Sequence, residues 1–361
     1  MGGREDGETK LTPRAFGDLK GWADDDHAAA LAAFCRGASV LGEHPPKTRA
    51  LGVDAGALSA ILGRAANLPT DVSQGVARAF FETEFAPREV NVGGFFTGYY
   101  EPEVRGSRAP TDEFQVPLYR TPDDLVEIAP GAAAGLDPSF RFAQRTAAGL
   151  GEYADRGAIM AGALAGRGLE LVHIQDPVDA FFIHIQGAAR IRLGDGTMMR
   201  VTYAAKSGHP FTPIGRVLIE TGALSAGAVT MQAIRAWLAA HPAAAPGVMA
   251  RNRSYIFFRE APVDDGSLGP VAAAKVPLTA GRSLAVDRLL HTFHSPVWIE
   301  TTLPSGATYR RLMVAQDTGS AIVGPARGDI FFGSGDTAGE IAGAMRADGR
   351  FVVLMPKEGR R

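Results

Sequence analysis

A single cysteine, Cys35, is all the thiol chemistry this chain of 361 residues possesses. An intrachain disulfide is therefore impossible, and no cysteine cluster is present to hold zinc. Also missing is any run near the roughly 18 consecutive apolar residues of a membrane span. Charge of one sign is missing too: Lys+Arg at 37 against Asp+Glu at 39 leave a net charge of −2. That balance lacks the basic footprint of a general nucleic-acid binder, so nucleic acid is not an expected partner. The eight histidines show no metal-ligand spacing with carboxylates; His173 and His184 lie in apolar β-like runs and read as structural, so neither metal nor cofactor is implied. The start, "MGGREDGETK", is polar and carries no visible leader. Cys35 follows an acidic "DDDH" and bulky Phe34 rather than a small-residue leader, so it reads as helix core and not as a lipid-attachment site.

What is present fits a two-domain globular protein, by length and by a hydrophobic content of 46%. Residues 24–41 and 70–86 carry helical spacing, and Asp24, Asp25 and Asp26 suit a helix N-terminus. At Val92 glycine pairs and aromatics begin, and a domain boundary is expected near residue 104. From there to about 242 the runs "FQVPLY", "LELVHIQ", "AFFIHIQGAARIRL" and "MMRVTYAA" predict a β-rich domain, closed by one helix in "GAVTMQAIRAWLAAHP". The remainder offers about seven short strands, "SYIFFRE", "PVAAAKVPL", "SLAVD", "PVWIETTL", "RRLMVAQD", "DIFFG" and "RFVVLMP", at the spacing of a sandwich or barrel.

Chemistry concentrates in carboxylates. Asp317-Thr318-Gly319 is the aspartic-protease signature, but a protease of this length needs it on two similar lobes, and it occurs once. Three aspartates border apolar strands: Asp287, Asp317 and Asp329. The hydroxyls and amides of the Thr-Gly-Ser turn are expected to keep the Asp317 pKa low. Asp329 runs into Ile330, Phe331 and Phe332, an apolar wall that raises a carboxyl pKa, so Asp329 is the better general acid. Tyr99, Tyr100 and Trp298 are aromatics with flat faces for stacking. Successive strand residues face opposite ways, so only one of the tyrosines is expected to be available for a ligand, and Trp298 reads as core.

The motifs "FFTGYYEPEV", "HIQGAARIRLGDG", "YAAKSGHPFTPIGR", "NRSYIFFRE" and "GPVAAAKVPLTAGRSLAVD", with the three aspartates, resemble the MltA family of lytic murein transglycosylases over residues 92–356. The resemblance implies a mainly β protein: a double-psi β-barrel from residues 1–103 and 243–361 with N-terminal helices, its three-aspartate region at about 271–356, and a second β-domain inserted at 104–242. It implies a groove between the domains for peptidoglycan glycan strands. Asp329 would be the catalytic acid and base, supported by Asp317 and Asp287. Thr97, Tyr99, Tyr100, Glu101, Gln186, Gly187 and Lys206 would bind substrate, and Ala188 stands where the family pattern has a small polar residue. The implied reaction cleaves the β-1,4 bond between N-acetylmuramic acid and N-acetylglucosamine with a 1,6-anhydro product. Its nucleophile is tethered, so a single carboxyl suffices where a hydrolase needs two. The same resemblance implies the periplasm with association to the outer membrane, a monomeric state and a place in a wall-remodelling complex. Two alternatives stay open: a hydrolase using Asp317 and Asp329 as a pair, and a non-catalytic wall-polysaccharide-binding protein.

Overall fold

The structure, a computed structural model, describes residues 10–129, 131, 135–138 and 140–357. The polar start at residues 1–9 lies outside the described residues. Two compact units divide the chain: one takes it up to Tyr100, then Ser267–Gly333 and everything from Thr337; the other takes Glu101–Gly266 with Ser334–Asp336.

Six strands organise the first unit: β1 (Gly94–Glu101), β2 (Ser283–Ala285), β3 (Pro296–Thr302), β4 (Thr308–Asp317), β5 (Arg327–Ser334) and β6 (Arg346–Pro356). They pair in the order β6, β3, β4, β2, β5, β1, and β1 returns to β6, so the ring closes. Closure removes the sheet edges that an open arrangement would expose. β2 and β4 run parallel; β3 is antiparallel to β4 and β6, and β2 to β5. The run Leu312-Met313-Val314-Ala315 in β4 is buried without alternation. One face meets the barrel interior and the other is covered by helix His27–Cys35, whose Ala33 carbonyl accepts from Gln316 Nε2 at 2.8 Å. Trp298, Phe34, Phe81, Phe85, Phe96 and Phe351 are fully enclosed in this core. Each such side chain contributes roughly 1.5–3 kcal/mol. Trp298 is thus core, and Cys35 packs at the rim of the same cluster.

Helices His27–Cys35, Ala55–Ala66 and Gln74–Glu84 each begin at a side-chain cap: Asp26, Asp54 and Ser73. The second of these, and the helix Asp336–Ala344, are absent from the sequence expectation. Asp25 departs from its expected role at a helix N-terminus. Its carboxylate is buried against Arg282 at 2.8 and 3.0 Å and accepts the Leu312 amide.

In the second unit a six-stranded sheet runs Ile256–Ala261, Met198–Lys206, Ala188–Leu193, Glu103–Ser107, Glu170–Ile174, Val116–Tyr119. A bridge between Arg120 and Phe258 joins its two outer strands. The expected strand in "AFFIHIQ" is instead helix Pro177–Gln186, and with it His184 is helical. Asp176 caps the Val178 amide at 2.7 Å, Pro177 occupies the first turn, and Gly187 ends the helix at φ +83°. The expected strand in "PVAAAKVPL" is a tight turn: the Ala272 amide bonds the Val276 carbonyl, and Lys275 sits at φ +65°.

Candidate functional site

β2 places the two carboxylates. Its Ala285 registers against Asp317 on parallel β4 and against Asp329 on antiparallel β5. With about 4.8 Å between neighbouring strands, the two aspartates stand two strands apart, roughly 10 Å between Cα atoms, with Ala285 between them. β1 supplies a hydroxyl to each. Thr97 and Tyr99 alternate with Phe96 and Tyr100, so the first two share one face. Thr97 Oγ1 donates to Asp329 Oδ1, and Tyr99 Oη donates to Asp317 Oδ2 at 3.0 Å. Tyr100 is buried on the opposite side, its ring so close to Gly339 that a Cβ there would lie 2.7 Å from it.

β1 itself approaches helix Asp336–Ala344 at van der Waals limits. A Cβ on Gly98 would come within 2.6 Å of the Phe332 ring and 2.8 Å of the Ala342 Cα. Only glycine fits between Thr97 and Tyr99.

Both aspartates keep partial exposure, yet protein surrounds their carboxyls. Burial pushes Asp317 up to about 6, and the nearby Asp329 charge adds to this; bonds from the Thr318 and Ala273 amides and from Tyr99 pull the other way. The expectation that the Thr-Gly-Ser turn holds Asp317 low is therefore overturned, because desolvation outweighs its donors. The Thr318 hydroxyl turns away to the Val286 carbonyl at 2.8 Å. Asp329 is also raised by burial, opposed by the Arg327 charge and the Thr97 hydroxyl. Burial and both carboxylates hold the Tyr99 phenol well above its ordinary pKa, so it stays a donor.

Arg327, two residues before Asp329 on the same face of β5, was not singled out by the sequence. Its Nη2 donates to Thr97 Oγ1 at 2.6 Å. The period-two spacing Arg327-Gly328-Asp329 was the available signal.

Among the other residues named above, Asp287 is nearly enclosed and holds loops together, accepting the Leu289 amide at 3.0 Å and the Gly324 amide at 2.9 Å. Glu101 belongs to the second unit. There it is buried between Arg190 Nε (2.8 Å) and Arg200 Nε (2.6 Å) and accepts from Ser334 Oγ at 2.7 Å. Gln186 and Gly187 end helix Pro177–Gln186, and Lys206 ends strand Met198–Lys206; all three are half-buried. The Tyr203 amide ties that strand to the Gly187 carbonyl at 2.8 Å. A cavity of about 520 Å³ in this unit, lined by Met160, Val178, Arg235 and Met249 among others, contains none of these residues.

Residues 95–259 match the MltA specific insert domain and residues 282–355 the 3D domain. The chain is 33% identical over 273 residues to membrane-bound lytic murein transglycosylase A of Escherichia coli K12; that match covers 73% of this chain and 66% of the relative's length, just under two thirds. Among solved structures, a membrane-bound lytic murein transglycosylase from Agrobacterium tumefaciens superposes with a TM-score of 0.90 at 47% identity, over 96% of this chain and 98% of that one. MltA from E. coli with bound chitohexaose does so with a TM-score of 0.66 at 25% identity, over 98% and 93%. The mainly β architecture, a double-psi β-barrel with an inserted domain, is common to this chain and these structures.

Proposed function

The chain belongs to the MltA family of lytic murein transglycosylases, and on that premise we propose that it cleaves the β-1,4 bond between N-acetylmuramic acid and N-acetylglucosamine in peptidoglycan, leaving a 1,6-anhydro-N-acetylmuramyl end. The observation that carries the reading is the pair of half-buried aspartates facing Thr97 and Tyr99, with both carboxyls raised toward neutral pH.

Asp329 is assigned the proton transfers. Thr97 occupies its Oδ1, and among the described residues no donor is bonded to Oδ2. Protonated at the start, Asp329 gives its proton to the glycosidic oxygen as the C1–O bond breaks and the N-acetylglucosamine 4-hydroxyl departs. The C6 hydroxyl of the N-acetylmuramyl residue bonds to C1 and returns its proton to the same carboxylate. One carboxyl serves twice, and no water is consumed. Asp317, with Tyr99, is assigned to orient the sugar and stabilise developing positive charge. Asp287 supports from a distance by holding the loop that follows β2.

Thr97 and Tyr99 are assigned contacts with the sugar beside the acid; Gln186, Gly187 and Lys206 are assigned to further sugars of the strand. Tyr100 and Glu101 are assigned supporting roles, since packing and ion pairing occupy them. The barrel is taken as the chain up to Tyr100 with Ser267–Gly333 and the residues from Thr337, and the insert as Glu101–Gly266, in place of the expected boundaries at 103 and 243, because strand Ile256–Ala261, expected in the barrel, pairs with Met198–Lys206 in the inserted unit. The enzyme is placed in the periplasm and taken to act as a monomer; no helix among the described residues is long and apolar enough to cross a membrane.

A two-carboxylate hydrolase draws on the same pair, and Asp317 at about 6 gives it a second group able to move a proton. Mass spectrometry of the soluble products from purified murein separates the readings. Anhydro ends are expected, and reducing ends in their place would make the enzyme a hydrolase. Binding to murein without soluble product would leave a wall-binding protein.

A further inference from the structure

Arginine only donates, so whatever its guanidinium bonds must offer a lone pair. Nη2 of Arg327 lies 2.6 Å from Thr97 Oγ1, and the guanidinium charge favours a hydroxyl dipole that points away from it, toward Asp329 Oδ1. The arm has little freedom. Nη1 donates to the carbonyls of Gly328 and Phe95, and the guanidinium carbon lies 5.2 Å over the Phe95 ring.

We propose that Arg327 is a positioning residue that sets the direction of the Thr97 hydroxyl and so confines the transferable proton of Asp329 to Oδ2. The inference rests on the reading of Asp329 as acid and base. A carboxyl with both oxygens open to protonation would present its proton to the glycosidic oxygen only part of the time. With Oδ1 fixed as an acceptor, every protonated molecule carries the proton on the atom that faces substrate. The charged and titratable groups facing Asp329 are Asp317 on β4, Tyr99 on β1 and Arg327 on its own strand; Arg346 on β6 registers with Thr97. Of these, Arg327 is bonded to the hydroxyl that Asp329 accepts.

The test has two arms. In the first, carbon-13 NMR follows the Asp329 carboxyl through pH in Asp-labelled protein, with Asp329→Asn to assign the signal; this requires no enzymatic activity. Arg327→Met should raise the midpoint, because a nearby positive charge that favours the carboxylate has gone. Adding Thr97→Val to Arg327→Met should move it little further, since the hydroxyl acts under arginine's control. In the second arm, release of anhydro-muropeptides is measured for the same proteins. Arg327→Met should lose about 10- to 100-fold in kcat, a fraction of the 10²–10⁴ that acid–base catalysis contributes, with KM nearly unchanged, and Thr97→Val should lose a similar factor in kcat with a raised KM, because it also gives up a sugar contact. The double variant should be no worse than the poorer single one. The alkaline limb of kcat, where Asp329 loses its proton, should move to higher pH in Arg327→Met. Arg327→Lys, which keeps a charged donor, should recover part of the rate.

Shifts and losses that simply combine in the double variant would overturn the coupling, as would an Arg327→Met protein with wild-type midpoint and kcat. A wild-type protein that released no anhydro-muropeptide would sink the functional reading, while the NMR arm would still decide whether Arg327 governs the carboxyl through Thr97.

Discussion

Two sets of enclosed carboxylates divide between the two units and have been given opposite surroundings. In the second unit Glu101 meets two guanidiniums and a hydroxyl, with Arg190 and Arg200 themselves nearly inaccessible. In the first, Asp317 has a phenol and two backbone amides, and Asp329 has a threonine hydroxyl with an arginine one atom further off. A carboxylate given full counter-charge holds structure. One given neutral donors in a desolvated place keeps a proton within reach of neutral pH. On the proposed function, the difference separates a carboxylate that builds from one that reacts.

The sharpest way to break the comparison is Asp329→Asn. The amide keeps the volume but neither gives nor recovers the proton, so release of anhydro-muropeptides should fall about 10⁴-fold or more, while the protein still pulls down on intact sacculi. Near-normal release would remove Asp329 from the mechanism. Glu101→Gln attacks the other side of the contrast. Two buried guanidiniums would lose their counter-charge, and stability should fall by about 3–5 kcal/mol, read from denaturant unfolding of that unit. A loss under 1 kcal/mol would mean the cluster relaxes into solvent.

Asp317→Asn lies between the two. A supporting role predicts partial activity, about 10–100-fold down, and a loss equal to that of Asp329→Asn would promote it to a proton-transferring group. The same variant should be more stable than wild type at pH 8. The folded carboxyl titrates near 6 against about 4 when unfolded, so folding favours the protonated form; its contribution is complete below pH 4 and disappears as pH rises through 6. The gain at pH 8 should be on the order of 1–3 kcal/mol, reduced by partial exposure, and should vanish at pH 4. Equal melting temperatures at pH 8 would contradict the raised pKa. Ser334→Ala should have the smallest effect, about 1 kcal/mol, because Glu101 keeps both arginines.

Much of this could be read from the chain before its structure. Three aspartates at strand ends stood out, and β-like runs with short spacing announced the barrel strands. Which aspartates converge did not follow, because register decides it. Asp317 and Asp329 share Ala285 as a partner, whereas Asp287 lies just past β2 and turns to loop amides. Propensity misled at Pro177–Gln186, where aromatic and β-branched residues read as strand although Asp176-Pro177 is a helix start. The raised pKa of Asp317 escaped for a related reason: donors are visible in a sequence and desolvation is not. Arg327 escaped because its role needs a neighbour 230 residues away.

Gly98 has a bearing on how this protein can vary. Every single-nucleotide change in a glycine codon that alters the residue adds a Cβ, and at position 98 that atom meets a main-chain carbon at 2.8 Å and an aromatic ring at 2.6 Å. The strand would have to retreat from helix Asp336–Ala344, carrying Thr97 and Tyr99 with it. Position 98 thus has no neighbour in codon space that leaves both hydroxyls in place, although its own side chain is a single hydrogen atom.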